Sequence, residues 1–110
     1  MWKIGKLLSC ETKNVIYMVE CKKENCKKQY IGETERCLKE RFSDHKNYVR
    51  NKHVNQATGA HFNEPGHTIE DMQIIAIEKL KNKNTKYRKD KEKFFIQKFD
   101  TYFDGINRRP

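Results

Sequence analysis

The run Val15-Ile16-Tyr17-Met18-Val19-Glu20-Cys21 constrains this chain more than any other. β-Branched and aromatic residues follow one another there with almost no polar alternation, which predicts a strand buried largely on both faces. Gln29-Tyr30-Ile31-Gly32 reads as a second, short strand, and the polar insertion from Lys22 to Lys28 makes the pair a β-hairpin with a long loop. Thr34 is placed to cap a helix that reaches about residue 50, with Leu38, Phe42, His45 and Val49 on one stripe. A short helix falls around Gln56 to Phe62, and Met72 to Glu78 reads as a third strand. Thr85 can cap a last helix ending about Phe99, and Asp104-Gly105 marks a turn. The order β-β-α-(α)-β-α predicts an α/β fold, a small three-stranded antiparallel sheet flanked by helices. Residues 1–13 carry no clear period and read as an N-terminal arm. Residues 14–110 then form one domain, and 110 residues bound its core to a modest size.

Hydrophobic and charged residues each supply 35% of the chain, and mean hydropathy is −1.05. Aromatics at 11% and only 5 Gly and 2 Pro still argue for a folded domain. No run approaches the roughly 18 apolar residues of a membrane span, and the N-terminus is too short and charged for a signal peptide. The expectation is an intracellular protein with no membrane partner. Net charge is +9, and from Lys79 to Lys98 nine Lys or Arg face only Asp90 and Glu92. Such a strip attracts a polyanion, nucleic acid being the usual one; the alternative is a solvated helix face.

Four cysteines without a signal peptide favour metal or thiol chemistry over disulfides. Cys21-x4-Cys26 and His61-x5-His67 have ligand spacing for a closed Cys2His2 structural zinc site. The 34 residues between Cys26 and His61 exclude a ββα finger. A zinc here is instead a knuckle that pins the hairpin loop to the segment after the first helix, a staple suited to a small core. The competing reading of Cys21 is a buried strand cysteine. Cys10 and Cys37 have no partner at ligand spacing and read as free thiols.

Two tyrosines stand on the hairpin, in Val15-Ile16-Tyr17 and Tyr30-Ile31-Gly32, with twelve residues between them. Arg41 follows Tyr30 by eleven, His45 follows Arg41 by four, and Glu92 and Asn107 stand fifteen apart. Each has a plain alternative: strand aromatics, helix-surface charges, a core histidine on the apolar stripe, a Glu92–Arg88 pair. Taken as an ordered set from Val15 to Asn107, they resemble the GIY-YIG endonuclease superfamily. Val15 stands where that family usually has its name-giving glycine. The Cys/His set, with Tyr30-Ile31-Gly32-Glu33-Thr34 and Gly66-His67-Thr68-Ile69, is similar to the endonuclease domain of Penelope-like retroelements, which joins this fold to a CCHH zinc motif.

The resemblance implies a metal-dependent endonuclease that hydrolyses DNA phosphodiester bonds, nicking target DNA for a retroelement in the nucleus. A reverse transcriptase domain would lie in the same native polyprotein. Catalysis would rest on Tyr17, Tyr30, Arg41, His45, Glu92 and Asn107. Glu92 would hold catalytic Mg²⁺ (or Mn²⁺), and Arg41 would grip the scissile phosphate by its fork of donors. Tyr17 would be the general base, with His45 taking up or relaying its proton; Tyr30 and His45 remain alternatives for that role. Tyr30 would orient water or phosphate, and Asn107 would brace the site. The lysine-rich strip, with Arg108 and Arg109, would add non-specific phosphate contacts. Two other classes stay open: a catalytically inactive zinc-stapled nucleic-acid-binding module, and a basic protein-interaction domain.

Overall fold

The computed structural model describes Trp2–Lys3, residues 11–102 and residues 104–108; Cys10 and Arg109 lie outside them. Strands β1 (Trp2–Lys3), β2 (Lys13–Cys21), β3 (Gln29–Cys37) and β4 (Met72–Lys79) form one sheet in the order β1-β4-β2-β3. β2 pairs antiparallel with both β3 and β4, giving the expected three-stranded antiparallel sheet. Two residues from within the expected arm add to it, Trp2 and Lys3 pairing parallel with Ile74 and Ile75. β2 is central, and Val15 to Val19 are all buried.

Its alternation divides the core in two. Val15, Tyr17, Val19 and Cys21 face helix α1 (Leu38–Arg50) and the short helix α2 (Ala57–His61), joining Leu38, Phe42, Val49 and Phe62. Ile16 and Met18 face the other way, against Phe95 and Ile96 of helix α3 (Thr85–Phe99). No helix among the described residues is long and apolar enough to cross a membrane.

Two boundaries differ from the sequence expectation. Thr34 does not cap α1; it is buried in β3 opposite Val15, its Oγ1 accepting from the Arg36 amide at 3.1 Å. β3 therefore runs five residues past Gly32, because pairing continues to Cys37 opposite Lys13 and a β-branched threonine suits a strand. Cys37 then takes the cap position without a side-chain cap, and its thiol donates to Glu40 at 3.3 Å. For α3 the cap is Asn84, whose side chain accepts from the Tyr87 amide, and Thr85 is the first helical residue.

Helix α3 is fastened by charge as well as by packing. Arg88 is only 4% exposed and donates Nε to Glu33 at 2.5 Å, while Lys89 Nζ reaches the other Glu33 oxygen at 2.7 Å. Arg88 is thus engaged with β3 and not with Glu92. Asn14, held at φ 59° at the bulge that opens β2, accepts from Arg88 Nη1 and donates to the carbonyls of Leu80 and Asn82. Removing one partner of such a buried pair strands the other. Glu33→Gln should lower unfolding free energy by about 3 kcal/mol, read from urea denaturation. An unchanged midpoint would show that Asn14 and the backbone alone satisfy Arg88.

Candidate active site and metal centre

Tyr17 sits mid-strand in β2 with no solvent exposure, its ring lying across Gly32 on β3. A Cβ at position 32 would run into the ring and hydroxyl, so glycine is needed opposite this tyrosine. Val15, where the resembled family carries glycine, simply packs in the core. Helix α1 brings two side chains to the Tyr17 hydroxyl from positions one turn apart. His45 Nε2 lies 2.7 Å from it, and Arg41 Nε donates to it at 3.0 Å. Arg41 Nη1 also donates to Tyr48 at 3.2 Å and contacts Asp44 at 3.3 Å. Arg41 Nη2 has no hydrogen-bond partner among the described residues. Tyr30 and Tyr48 pack edge-on against the His45 ring at 5.4 and 5.5 Å. On its far side, His45 Nδ1 meets Thr58 Oγ1 at 2.7 Å.

Burial dominates the electrostatics. It lifts the Tyr17 phenol well above its ordinary range, reinforced by Tyr30 and opposed by the Arg41 charge. Tyr30 is raised by burial too, again opposed by Arg41. His45 is pushed down to about 3 by burial and then by Arg41, so its imidazole is neutral. The group is therefore an arginine cation beside two protonated phenols and a neutral imidazole.

Tyr30 also borders a cleft of about 260 Å³ together with Glu92, Asn107, Gln56 and Arg108. Glu92 is half-buried, with no hydrogen bond or ion pair among the described residues. Burial raises its carboxyl above the ordinary range, while Lys89 and Arg41 pull it down. Asn107 clamps the edge of β3, accepting from the Ile31 amide at 2.7 Å and donating to the Ile31 carbonyl at 2.9 Å. Arg108 is exposed on this cleft and donates to the carbonyls of Val54 and Asn55, which holds the approach to α2. In the basic strip Lys86, Lys89 and Lys91 are paired with acids. Lys81, Lys83, Lys93 and Lys98 are exposed with no ion pair among the described residues.

A second constellation lies where the β2–β3 loop meets the segment after α2. One ligand atom from each of Cys21, Cys26, His61 and His67 falls within 4.8 Å of the others. Cys26 Sγ is 3.4 Å from His61 Nε2, and the two imidazoles stack edge-on at 4.6 Å. His67 Nε2 is buried without a hydrogen-bond partner among the described residues, while its Nδ1 faces the Pro65 carbonyl at 3.4 Å. An orphaned imidazole nitrogen aimed into a sulfur–nitrogen cluster suits a tetrahedral metal, with the outer nitrogens oriented by second partners. Burial holds His61 below its ordinary pKa, which favours the neutral ligand form. Burial likewise lifts the Cys21 thiol to about 11, a value that a bound cation would reverse.

The structure thus gathers Tyr17, Tyr30, Arg41 and His45 about one hydroxyl, places Glu92 and Asn107 along the adjoining cleft, and brings the four Cys/His residues together. Sequence reasoning missed Tyr48 and Thr58. Tyr48 had a signal, standing three residues after His45 on the same helix face; Thr58 had none.

This is a small α/β domain in which tyrosine, arginine and histidine converge on one face of the sheet, with a glutamate on the adjoining cleft. A sequence model of the GIY-YIG catalytic domain matches residues 13–107, and the chain belongs to that family. Its fold is similar to the solved catalytic domain of the homing endonuclease I-TevI, with a TM-score of 0.73 at 17% identity. That likeness covers 89% of this chain and 100% of the other. Comparison with curated protein sequences finds no match.

The neutral, buried His45 has a measurable consequence for stability. Its folded value of about 3 lies below the ordinary 6.5, so between those values the unfolded chain binds the extra proton. The stabilisation is complete above about pH 6.5 and is lost as pH falls toward 3. The melting-temperature gap between wild type and His45→Gln should stay constant from pH 8 to about pH 6.5 and narrow from there to pH 4. A gap independent of pH would mean that His45 titrates normally in the folded chain.

Proposed function

We propose that this domain is a metal-dependent DNA endonuclease hydrolysing phosphodiester bonds. One observation carries the reading: Arg41 and His45 converge on the Tyr17 hydroxyl, while a Glu92 carboxylate with no ion pair among the described residues lines the adjoining cleft. A half-buried carboxylate with no hydrogen bond or ion pair among the described residues fits a hard divalent ion such as Mg²⁺ or Mn²⁺. Bound at Glu92, that ion would offset charge on the phosphoryl oxygens and the leaving oxygen. Arg41 binds the scissile phosphate through the free edge of its guanidinium and stabilises the charge of the pentacovalent state. Tyr17 is the base toward the attacking water, its oxygen poised between Arg41 and His45. Tyr30 orients water or phosphate at the cleft wall. Asn107 holds β3, and with it Tyr30, in place. Exposed lysines on and before α3 contribute sequence-independent phosphate contacts.

The cluster of Cys21, Cys26, His61 and His67 holds structural zinc. With the matching runs Tyr30-Ile31-Gly32-Glu33-Thr34 and Gly66-His67-Thr68-Ile69, it supports the Penelope-like subgroup. The task in that setting is nicking chromosomal DNA in the nucleus for a reverse transcriptase carried in the same polyprotein.

The decisive assay is nicking of supercoiled plasmid with Mg²⁺. Glu92→Ala and Tyr17→Phe should each cut at least about a hundredfold more slowly with DNA affinity near wild type, and Glu92→Ala should keep the wild-type melting temperature. DNA binding without nicking by the wild type would select the inactive module, and neither activity would select a protein-interaction domain.

Zinc is tested separately. The chain purified without added metal should hold one zinc per molecule. Cys26→Ser combined with His67→Ala should lower the melting temperature by roughly 10 °C or more, because binding energy here is folding energy. Added Mg²⁺ should not restore it. Absence of zinc by elemental analysis, or a double variant of equal stability, would remove the assignment.

A further inference from the structure

We propose that Thr58 is a positioning residue that fixes the tautomer of His45, accepting the Nδ1 proton so that Nε2 stands as an acceptor toward the Tyr17 hydroxyl. The hydrogen-bond assignment stands on geometry; its kinetic consequence rests on the nuclease reading above. Tyr17 is fully buried and its oxygen already receives the Arg41 Nε–H, a group that can only donate. Among the described residues the phenolic hydrogen then has one acceptor, His45 Nε2 at 2.7 Å. Neutral imidazole carries a single proton, so it lies on Nδ1, 2.7 Å from Thr58 Oγ1. Thr58 is 1% exposed and its hydroxyl has no other hydrogen-bond partner among the described residues. A hydroxyl rotor can serve as donor or acceptor, so the phenol decides the direction. The resulting tautomer is the reverse of the one an imidazole side chain prefers in water.

Helix α2 is locked where this contact requires it. A Cβ on Gly59 would strike the His53 carbonyl, so α2 approaches the end of α1 as closely as a glycine allows. Asn63 Nδ2 ties the Gly59 carbonyl to that of Val49 at 2.7 and 3.0 Å. Thr58 is thus held against His45 by neighbouring backbone.

The chemistry balances along this line. Water oxygen forms the new bond to phosphorus as the P–O3′ bond breaks, and the 3′ oxygen leaves with the electron pair and takes a proton from solvent. One water proton passes to the Tyr17 oxygen while the phenolic proton passes to His45 Nε2. The imidazolium so formed keeps its Nδ1–H on Thr58 and later returns the proton to solvent. Burial is the larger cause that disfavours this imidazolium in the free protein, and a phosphate on Arg41 offsets the smaller one, the Arg41 charge.

Nitrogen-15 NMR of the wild-type chain reads the tautomer directly. We expect His45 protonated at Nδ1; protonation at Nε2 overturns the proposal. Thr58→Val keeps the shape and removes the acceptor. It should leave the Nδ1–H without an acceptor against the pull of the phenol, shifting part of the population to the Nε2–H tautomer, and lower kcat by about tenfold to a hundredfold with KM nearly unchanged, while Thr58→Ser restores both. A merely structural threonine would change melting temperature and leave tautomer and kcat alone, which also overturns it. Should Thr58→Val not fold, the wild-type tautomer and Thr58→Ser decide. Should the wild type not cut DNA, the nuclease reading falls, and the NMR result still decides the role of Thr58.

Discussion

A phenol placed at zero exposure in the central strand must have its hydroxyl satisfied by protein, because an unpaired buried polar group costs about as much as a good contact returns. Meeting that need at Tyr17 fixes much else. Gly32 must stand opposite, since any side chain there would occupy the ring's space. Helix α1 must lie in the one register that puts Arg41 and His45 on either side of the oxygen, and its Leu38, Phe42 and Val49 stripe sets that register by packing on the same sheet face. The hydrogen bonds that make the core tolerable are the ones that surround the oxygen with a cation and an imidazole. Packing and chemistry are one set of contacts here.

The carboxylate poses a different problem, because α3 lies on the opposite face of the sheet. β3 connects the two faces by its alternation. Tyr30 and Gly32 point toward α1, while Ile31 packs in the rear core and Glu33 is seized by Arg88 and Lys89 of α3. That ion pair lies one helical turn before Glu92, so it governs both the level and the rotation at which Glu92 reaches the cleft at the β3 edge. Asn107 acts on the same strand from its free side, through the Ile31 backbone. β3 is therefore gripped by charge from behind at Glu33 and by an amide at its edge at Ile31, with Gly32 between the two grips and Tyr30 beside the second.

What the sequence made legible follows from range and periodicity. β2 and β4 show as apolar runs and α1 as a stripe of helical period, and the tyrosines, Arg41 and His45 keep a spacing that the hairpin and helix convert directly into proximity. The Cys and His pairs could be read because ligand spacing is local even where the loop between them is long. Thr34 misled because its neighbours look like a helix start, whereas pairing opposite Val15 decided its backbone. β1 has only two residues and no period to show. Thr58 meets His45 from 13 residues away and Arg88 meets Glu33 from 55, and neither contact is written in the spacing of its own element. The bonds from Arg108 to the Val54 and Asn55 carbonyls, made across 54 and 53 residues, are equally invisible in local spacing.

Helix α2 joins the two constellations. Its five residues are too few to hold a helix by themselves, so its place is imposed from outside. Thr58 stands near its start against His45, and His61, three residues on, closes its end within the Cys/His cluster. On the sheet beneath, Cys21 lies four residues along β2 from Tyr17 on the same face, roughly 13 Å at strand rise. A metal drawn onto Cys21, Cys26, His61 and His67 would thus fix both ends of a short bridge: the strand that carries Tyr17 and the helical turn that carries Thr58. The hairpin loop between the cysteines is mostly exposed and adds little apolar burial. Its tie to His61 therefore matters less to the size of the core than to where α2, and through it the His45 imidazole, comes to rest.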